Sequence, residues 1–247
     1  MLAKPLLPFA LFAAVSTTTQ AEPAPIQDFR AQFSVEAYGF NLGVGEQSFH
    51  CQNNECTLMS SARPQGAVRL FFKDESYETI KLKRIDNQLL WQSYYKQEIR
   101  YKGGSPTTVE TRLMRKDGQI INPDKSSDWP ASDQVFDPIS MPYAIRWRLL
   151  HNQPLEGLLI QDNKAQHPLQ LRAQKETQLQ VEFADKKQPT LQLDFVSHNH
   201  SIRLWLLTEQ QLFPAKIRIT NNQKDQSLTL NLVQTPIWST PIEKSSP

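Results

Sequence analysis

Glycine is scarce in this sequence, with only eight residues in 247. None of the eight sits in a Gly-rich loop that could cradle phosphate, so the common nucleotide-binding motifs are absent. Cysteine is limited to Cys51 and Cys56. They are not spaced as C-x-x-C and no histidine follows closely, which argues against a redox pair or a metal cluster. There is no Gly-x-Ser-x-Gly nucleophile elbow. Neither sign of charge is in excess: the formal net charge is +2. Global electrostatics therefore select no partner. After the first twenty or so residues, no apolar run reaches the roughly 20 residues that a spanning helix needs.

The N-terminus reads as an address. Lys4 supplies positive charge, Leu6 to Val15 is apolar apart from Pro8, and Ser16 to Gln20 is polar. Thr19-Gln20-Ala21 fits the small-x-Ala rule, so a signal peptide over 1–21, cleaved after Ala21, is expected. No cysteine lies near that point, which argues against a lipoprotein. The expected location is the periplasm, where nucleic acid is not a partner. In an oxidising compartment Cys51 and Cys56 are expected to form a disulfide. Asn53-Asn54 between them suits a tight turn, because Asn tolerates left-handed backbone. So short a ring contributes only about 2 kcal/mol.

Residues 22–28 are Pro-rich and read as an extended lead-in. Beyond them the dominant signal is two-residue alternation, the period of half-buried strands. Phe29, Ala31, Phe33, Val35 and Ala37 share one side. Leu89, Trp91, Tyr95, Ile99 and Tyr101 repeat the pattern, as do Leu169 to Ala173, Leu179 to Phe183, Leu191 to Phe195, Ala215 to Ile219 and Leu228 to Leu232. Lys102-Gly103-Gly104-Ser105 and Lys116-Asp117-Gly118-Gln119 are strong hairpin signals. Leu204-Trp205-Leu206-Leu207 reads as a fully buried strand. Two short helices are expected, over Arg63 to Phe72 and over Asp137 to Leu150, the second with Ser140 as N-cap and Pro142 in its first turn. Asn122 to Val135 reads as a long loop joining two halves. These signals predict a mainly β fold: a curved antiparallel sheet or half-barrel of meander hairpins, forming one domain over 29–236. The tail 237–247 is expected to fray.

Asp137-Pro138-Ile139-Ser140-Met141-Pro142-Tyr143-Ala144-Ile145-Arg146 resembles the mid-chain element of a bacterial family of exported proteins, domain of unknown function 3108 (DUF3108). Leu204-Trp205-Leu206-Leu207-Thr208-Glu209, followed by Phe213-Pro214-Ala215-Lys216-Ile217, is similar to that family's later hallmark. The early strand, Gly43-Val44-Gly45 and Phe72-Lys73-Asp74-Glu75-Ser76-Tyr77 also fit, so the likeness runs over roughly residues 29 to 234. One departure is Gln188-Pro189-Thr190-Leu191, where the family often has Thr-Pro-x-Gly. The resemblance implies a periplasmic protein with a curved sheet akin to lipoprotein-carrier half-barrels. It implies no activity and no catalytic residues.

Several constellations carry potential chemistry. His198-x-His200, with His167 and Asp194, could offer metal ligands, but the run Ser197 to Ser201 reads better as an exposed tip. Glu75 and Glu78 are a possible carboxylate pair, with nothing to mark them as buried. Trp91, Tyr95, Tyr101, Phe195, Trp205 and Phe213 could line a concave apolar groove. Nine basic residues lie between Lys81 and Lys116, opposed by Asp86, Glu98 and Glu110. Of these Lys81, Lys83, Arg100, Lys102 and Arg112 are the candidates for a positive face that would favour anionic envelope material. The expectation is a non-catalytic binding or chaperone-like factor of the cell envelope, with no cofactor and no metal. Its groove would take a lipid or a polypeptide. The alternatives are an assembly protein that pairs through a sheet edge and, behind that, an envelope hydrolase.

Overall fold

A computed structural model describes residues 27–37, 39–103 and 105–239. The expected signal peptide over 1–21, most of the expected lead-in and residues 240–247 lie outside them.

The first half is a run of antiparallel hairpins: β1 (Phe29–Ala37), β2 (Phe40–Gln52), β3 (Glu55–Pro64), β4 (Glu75–Ile85), β5 (Gln88–Lys102), β6 (Ser105–Lys116), β7 (Gln119–Asn122) and β8 (Ser127–Pro130). A 3₁₀ turn, Gly66–Leu70, separates β3 from β4. Then come β9 (Val135–Phe136), helix α1 (Met141–Leu150), β10 (Leu159–Gln161) and β11 (Gln166–Pro168), with β9 to β11 forming a small sheet of their own. The second meander is β12 (Gln170–Leu179), β13 (Gln188–Ser197), β14 (His200–Leu207), β15 (Phe213–Asn221) and β16 (Gln226–Leu232). β17 (Ile237–Trp238) pairs with the start of β1. The two meanders join where β16 lies against β1, giving one 14-stranded, antiparallel, curved sheet that is not closed.

Alternation decides which side chains face inward. Direct cross-strand neighbours share a face, so Phe29, Phe49, Leu58, Ile80, Tyr94 and Leu113 form one concave row. Ala37, Leu228, Ile219, Ile202, Phe195 and Leu171 form another across the second meander. Register shifts at Val35/Glu36, Lys81/Leu82, Leu171/Ala173 and Trp205/Leu206 interrupt the ladders. Such bulges bend a strand and increase its twist, which curves the sheet.

Helix α1 lies in the concavity, packed against β15 and β5. Every residue from Met141 to Arg148 is buried, so the helix has no solvent face. It fills the middle of the sheet and one end. There Trp147 Nε1 donates to Asn87 O at 2.7 Å and Arg146 Nε donates to Gln211 O at 2.7 Å. Both acceptors are in hairpin turns of that closed end. The opposite end carries the β1–β2, β5–β6, β13–β14 and β15–β16 turns and the 3₁₀ turn. It is not filled by the helix.

Several expectations need correction. Arg63 to Phe72 is not a helix: β3 continues to Pro64, and Gly66 (φ +59°) opens a 3₁₀ turn with no buried residue. α1 begins at Met141, and Ser140 does not cap it with its side chain. Asp137 does that work, accepting the N–H groups of Ile139 (2.9 Å) and Ser140 (3.0 Å) on Oδ1. The expected loop after Asn122 contains β8 and β9. β12 ends at Leu179, and Val181 reaches the core from a turn. The tail does not fray at 237, because Phe29 pairs with Trp238 and Arg30 with Ile237. Cys51 and Cys56 are opposed across the β2–β3 hairpin and form a disulfide.

Candidate functional site

The open end of the sheet holds a cavity of about 610 Å³, in the range of small-molecule sites. Its apolar walls are Val35, Leu42, Ala62, Pro64 and Phe72. Gly43 lets the backbones close in behind them, since a Cβ there would lie 2.1 Å from the Arg63 carbonyl oxygen. Along one wall β5 presents Lys96, Glu98 and Arg100, three residues at i, i+2, i+4 on its concave side. Glu98 lies between the two cations, with Lys96 Nζ at 2.5 Å and Arg100 also ion-paired. Burial alone would raise the Glu98 carboxyl, but Lys96 and Arg100 hold it below the usual carboxylate range. Asp74, at the rim, accepts the Tyr101 N–H at 3.0 Å.

The strip continues inward. Glu78 faces Lys96 across β4 and β5 (3.9 Å), is buried, and leaves Oε2 without a hydrogen-bond partner. Burial pushes its carboxyl up to about 7, against the pull of Lys96 and with the help of nearby Asp137. Tyr94, beside it, is pushed upward by burial and by Glu78. Deeper still, Asp137 is fully buried. Its Oδ2 accepts Trp91 Nε1 (2.9 Å) and Ser140 Oγ (2.5 Å), and burial raises its carboxyl above the ordinary value. Lys96 and Arg100 flank Glu98 on this wall, and Arg63, Asp74 and Glu75 also line the cavity, so cations and acids there are balanced in number.

A second, smaller pocket of about 180 Å³ opens at the same end, between α1 and β13 to β15. Met141, Ile145, Ile160, Leu204 and Ile217 line it. An apolar cavity near this size admits a group as large as a benzene ring. His167 stacks on His198 at its edge (ring centroids 5.0 Å apart), beside His200 and Asp162. The structure thus brings together His167, His198 and His200, which the sequence analysis grouped as candidate ligands. Asp194 is not with them: it lies on the convex face, bound to Arg203 at 2.5 Å. Among the described residues no group of three or more His, Cys, Asp or Glu is arranged to hold a metal.

The predicted aromatic groove does not form. Trp91, Phe195 and Phe213 are buried in the core at 0%, 1% and 0% exposure. Tyr95 faces outward and donates to Glu110 at 2.9 Å, and Tyr101 is exposed near the β5–β6 turn. Trp205 is half-buried on the convex face between Arg203 and Lys216, each 5.6 Å from its ring. The bulge beside it does not bring it inward. The basic face is divided as well. Lys81, Lys83 and Arg112 stand on the convex side, Arg112 paired with Glu110, whereas Arg100 stands on the concave side. The Lys102 side chain is outside the described structure. Glu75 and Glu78 point to opposite sides of β4, and Glu75 accepts the Tyr77 hydroxyl at 2.7 Å.

The concave charged strip was the feature missed in the sequence. Its signal was present as Tyr94, Lys96, Glu98 and Arg100 in alternate positions, but nothing in the alternation says which side of a strand is concave.

No family model and no curated protein matches this sequence. Among solved structures, the chain is similar to a β-barrel-like protein of domain of unknown function DUF1849 from Brucella abortus. The TM-score is 0.51 at 9% identity, over 87% of this chain and 98% of the other. At that identity the likeness concerns the fold alone, and on that ground the chain has a β-barrel-like architecture built from one open antiparallel sheet.

Proposed function

We propose that this chain is an exported, non-catalytic binding protein of the cell envelope whose ligand is an amphiphile with an acidic headgroup. The observation that carries this reading is the open-end cavity, apolar on one wall and lined by Lys96, Glu98 and Arg100 on another. An apolar tail would gain by leaving water for Val35, Leu42, Ala62 and Phe72. A carboxylate or phosphate would meet Lys96 and Arg100 and compete with Glu98 for those two cations. Export follows from the N-terminal signal and accords with the disulfide. The membership in DUF3108 suggested by the Asp137–Arg146 element belongs to this same proposal.

The test is native mass spectrometry of the chain recovered from its host, followed by titration with phosphatidylglycerol. Bound amphiphile is expected, and Ser76→Trp, which fills the cavity, should weaken binding at least about tenfold. A bare polypeptide mass that stays bare on titration would sink the reading.

A second reading draws on the sheet's edge. β12 is ten residues long and, among the described residues, pairs only with β13. Such an edge can accept a strand from a partner. Arg172, Lys175, Glu176 and a register shift at Leu171/Ala173 guard it, as charges and bulges do on edges that stay unpaired.

A further inference from the structure

We infer that the tip of the open end docks on an anionic lipid surface. After Gly66 the chain runs Ala67-Val68-Arg69-Leu70-Phe71-Phe72-Lys73. Leu70, Phe71 and Phe72 are 75%, 82% and 60% exposed, and Phe40 at the start of β2 is 70% exposed. The 3₁₀ turn lies against β2, and Phe72 shares the cavity wall with Leu42, two residues along β2 from Phe40. Large apolar side chains are therefore gathered, largely exposed, at one tip of the described structure.

Charge selects the partner. Two cations, Arg69 and Lys73, stand within this segment, and no acid lies between Gly66 and Lys73. The two acids that follow at the surface each hold a hydrogen bond within the protein, Asp74 from the Tyr101 N–H and Glu75 from the Tyr77 hydroxyl. Aromatic and aliphatic side chains flanked by cations match the interfacial zone of an anionic bilayer. Lipid conforms to whatever enters it, so an exposed turn needs no matching surface to be covered by it. Both ends of the described chain lie at the other end of β1, which pairs with β17 there, some 27 Å away at strand spacing. The inference stands apart from the identity of the cavity's ligand.

The experiment is hydrogen exchange over residues 66–73 of the full chain, alone and with vesicles. One set of vesicles mixes phosphatidylglycerol with phosphatidylethanolamine, and the other is phosphatidylcholine. Fast exchange in solution and protection on the anionic vesicles are expected. In co-flotation with the anionic vesicles, Leu70→Ser with Phe71→Ser, neither of which lines the cavity, should weaken binding about tenfold or more. Arg69→Gln with Lys73→Gln should remove the preference for phosphatidylglycerol. These side chains are solvent-exposed, so both variants should keep the parent's thermal transition, which circular dichroism reports. Three results would overturn the inference: protection already present without lipid, which assigns the patch to residues 1–26 or a second copy; equal protection on phosphatidylcholine; and no protection on either. Unchanged co-flotation of the serine variant would overturn it as well.

Discussion

Neutral and ionised Glu78 differ in what the concave face offers them. Burial without a partner for Oε2 favours the neutral form and lifts the pKa from 4.5 to about 7. Between those values the folded protein holds a proton that the unfolded chain has released, so folding stability falls as pH rises through the window. At about 1.4 kcal/mol per pH unit the full loss is about 3 kcal/mol, and Asp137, raised in the same direction, adds to it. Glu78→Gln, a mimic of the neutral acid, should match the parent near pH 4 and exceed its stability near pH 8. Denaturant melts from about pH 4 to about pH 9 check this, and a gap that does not change with pH would remove Glu78 as the cause. Arg146 is a different case. Burial lowers its guanidinium to about 10, yet it donates twice to Gln211, at Nε and Nη2, and lies 5.3 Å from the Trp238 ring. Gln211 and Leu212 both hold left-handed backbone (φ +50° and +57°), so this turn depends on outside support. Arg146→Ala should cost about 3 kcal/mol in chemical denaturation, because it strands a buried carbonyl.

Helix α1 shows what an element's sequence does and does not disclose. Asp137 to Arg146 was legible as a special segment, and its polar residues now have structural work: Asp137 caps the helix, Ser140 and Trp91 satisfy Asp137, and Arg146 ties the helix to a distant turn. That the helix is buried all round was not legible, because Arg146 and Arg148 look like a solvent face until their partners are known. Trp147→Ala should cost about 3–5 kcal/mol, chiefly by cavity formation, since Asn87 O keeps its bond from Gln153 Nε2, and a calorimetric transition that hardly moves would contradict the packing. The 3₁₀ turn failed in the opposite way. Ala67, Leu70 and Phe71 are spaced as one side of a helix, but spacing does not reveal whether anything covers that side. Alternation made β1, β5, β13, β15 and β16 legible but not β2, β3, β4 or β6, and Asp117 (φ +50°) and Gly118 (φ +76°) make the turn expected there. Inner and outer sides were not distinguished for β5, where Tyr94 faces the core and Tyr95 the solvent. The β2–β3 disulfide closes a short ring, so Cys51→Ser with Cys56→Ser should lower stability by only about 2 kcal/mol.

At the scale of the whole molecule, meander spacing predicted a curved antiparallel sheet, and that is the fold. The join between the meanders could not be read, because the pairing of β1 with β16 spans almost the entire chain: Phe33 lies beside Leu232. Local alternation carries no information about partners that distant. Synthesis proceeds from the N-terminus, so β1 meets β2 at once and then waits for roughly two hundred more residues before its other side is covered. Until β16 is made, the nascent protein carries a long bare strand in what will become its middle, the kind of exposure that invites mispairing and chaperone capture.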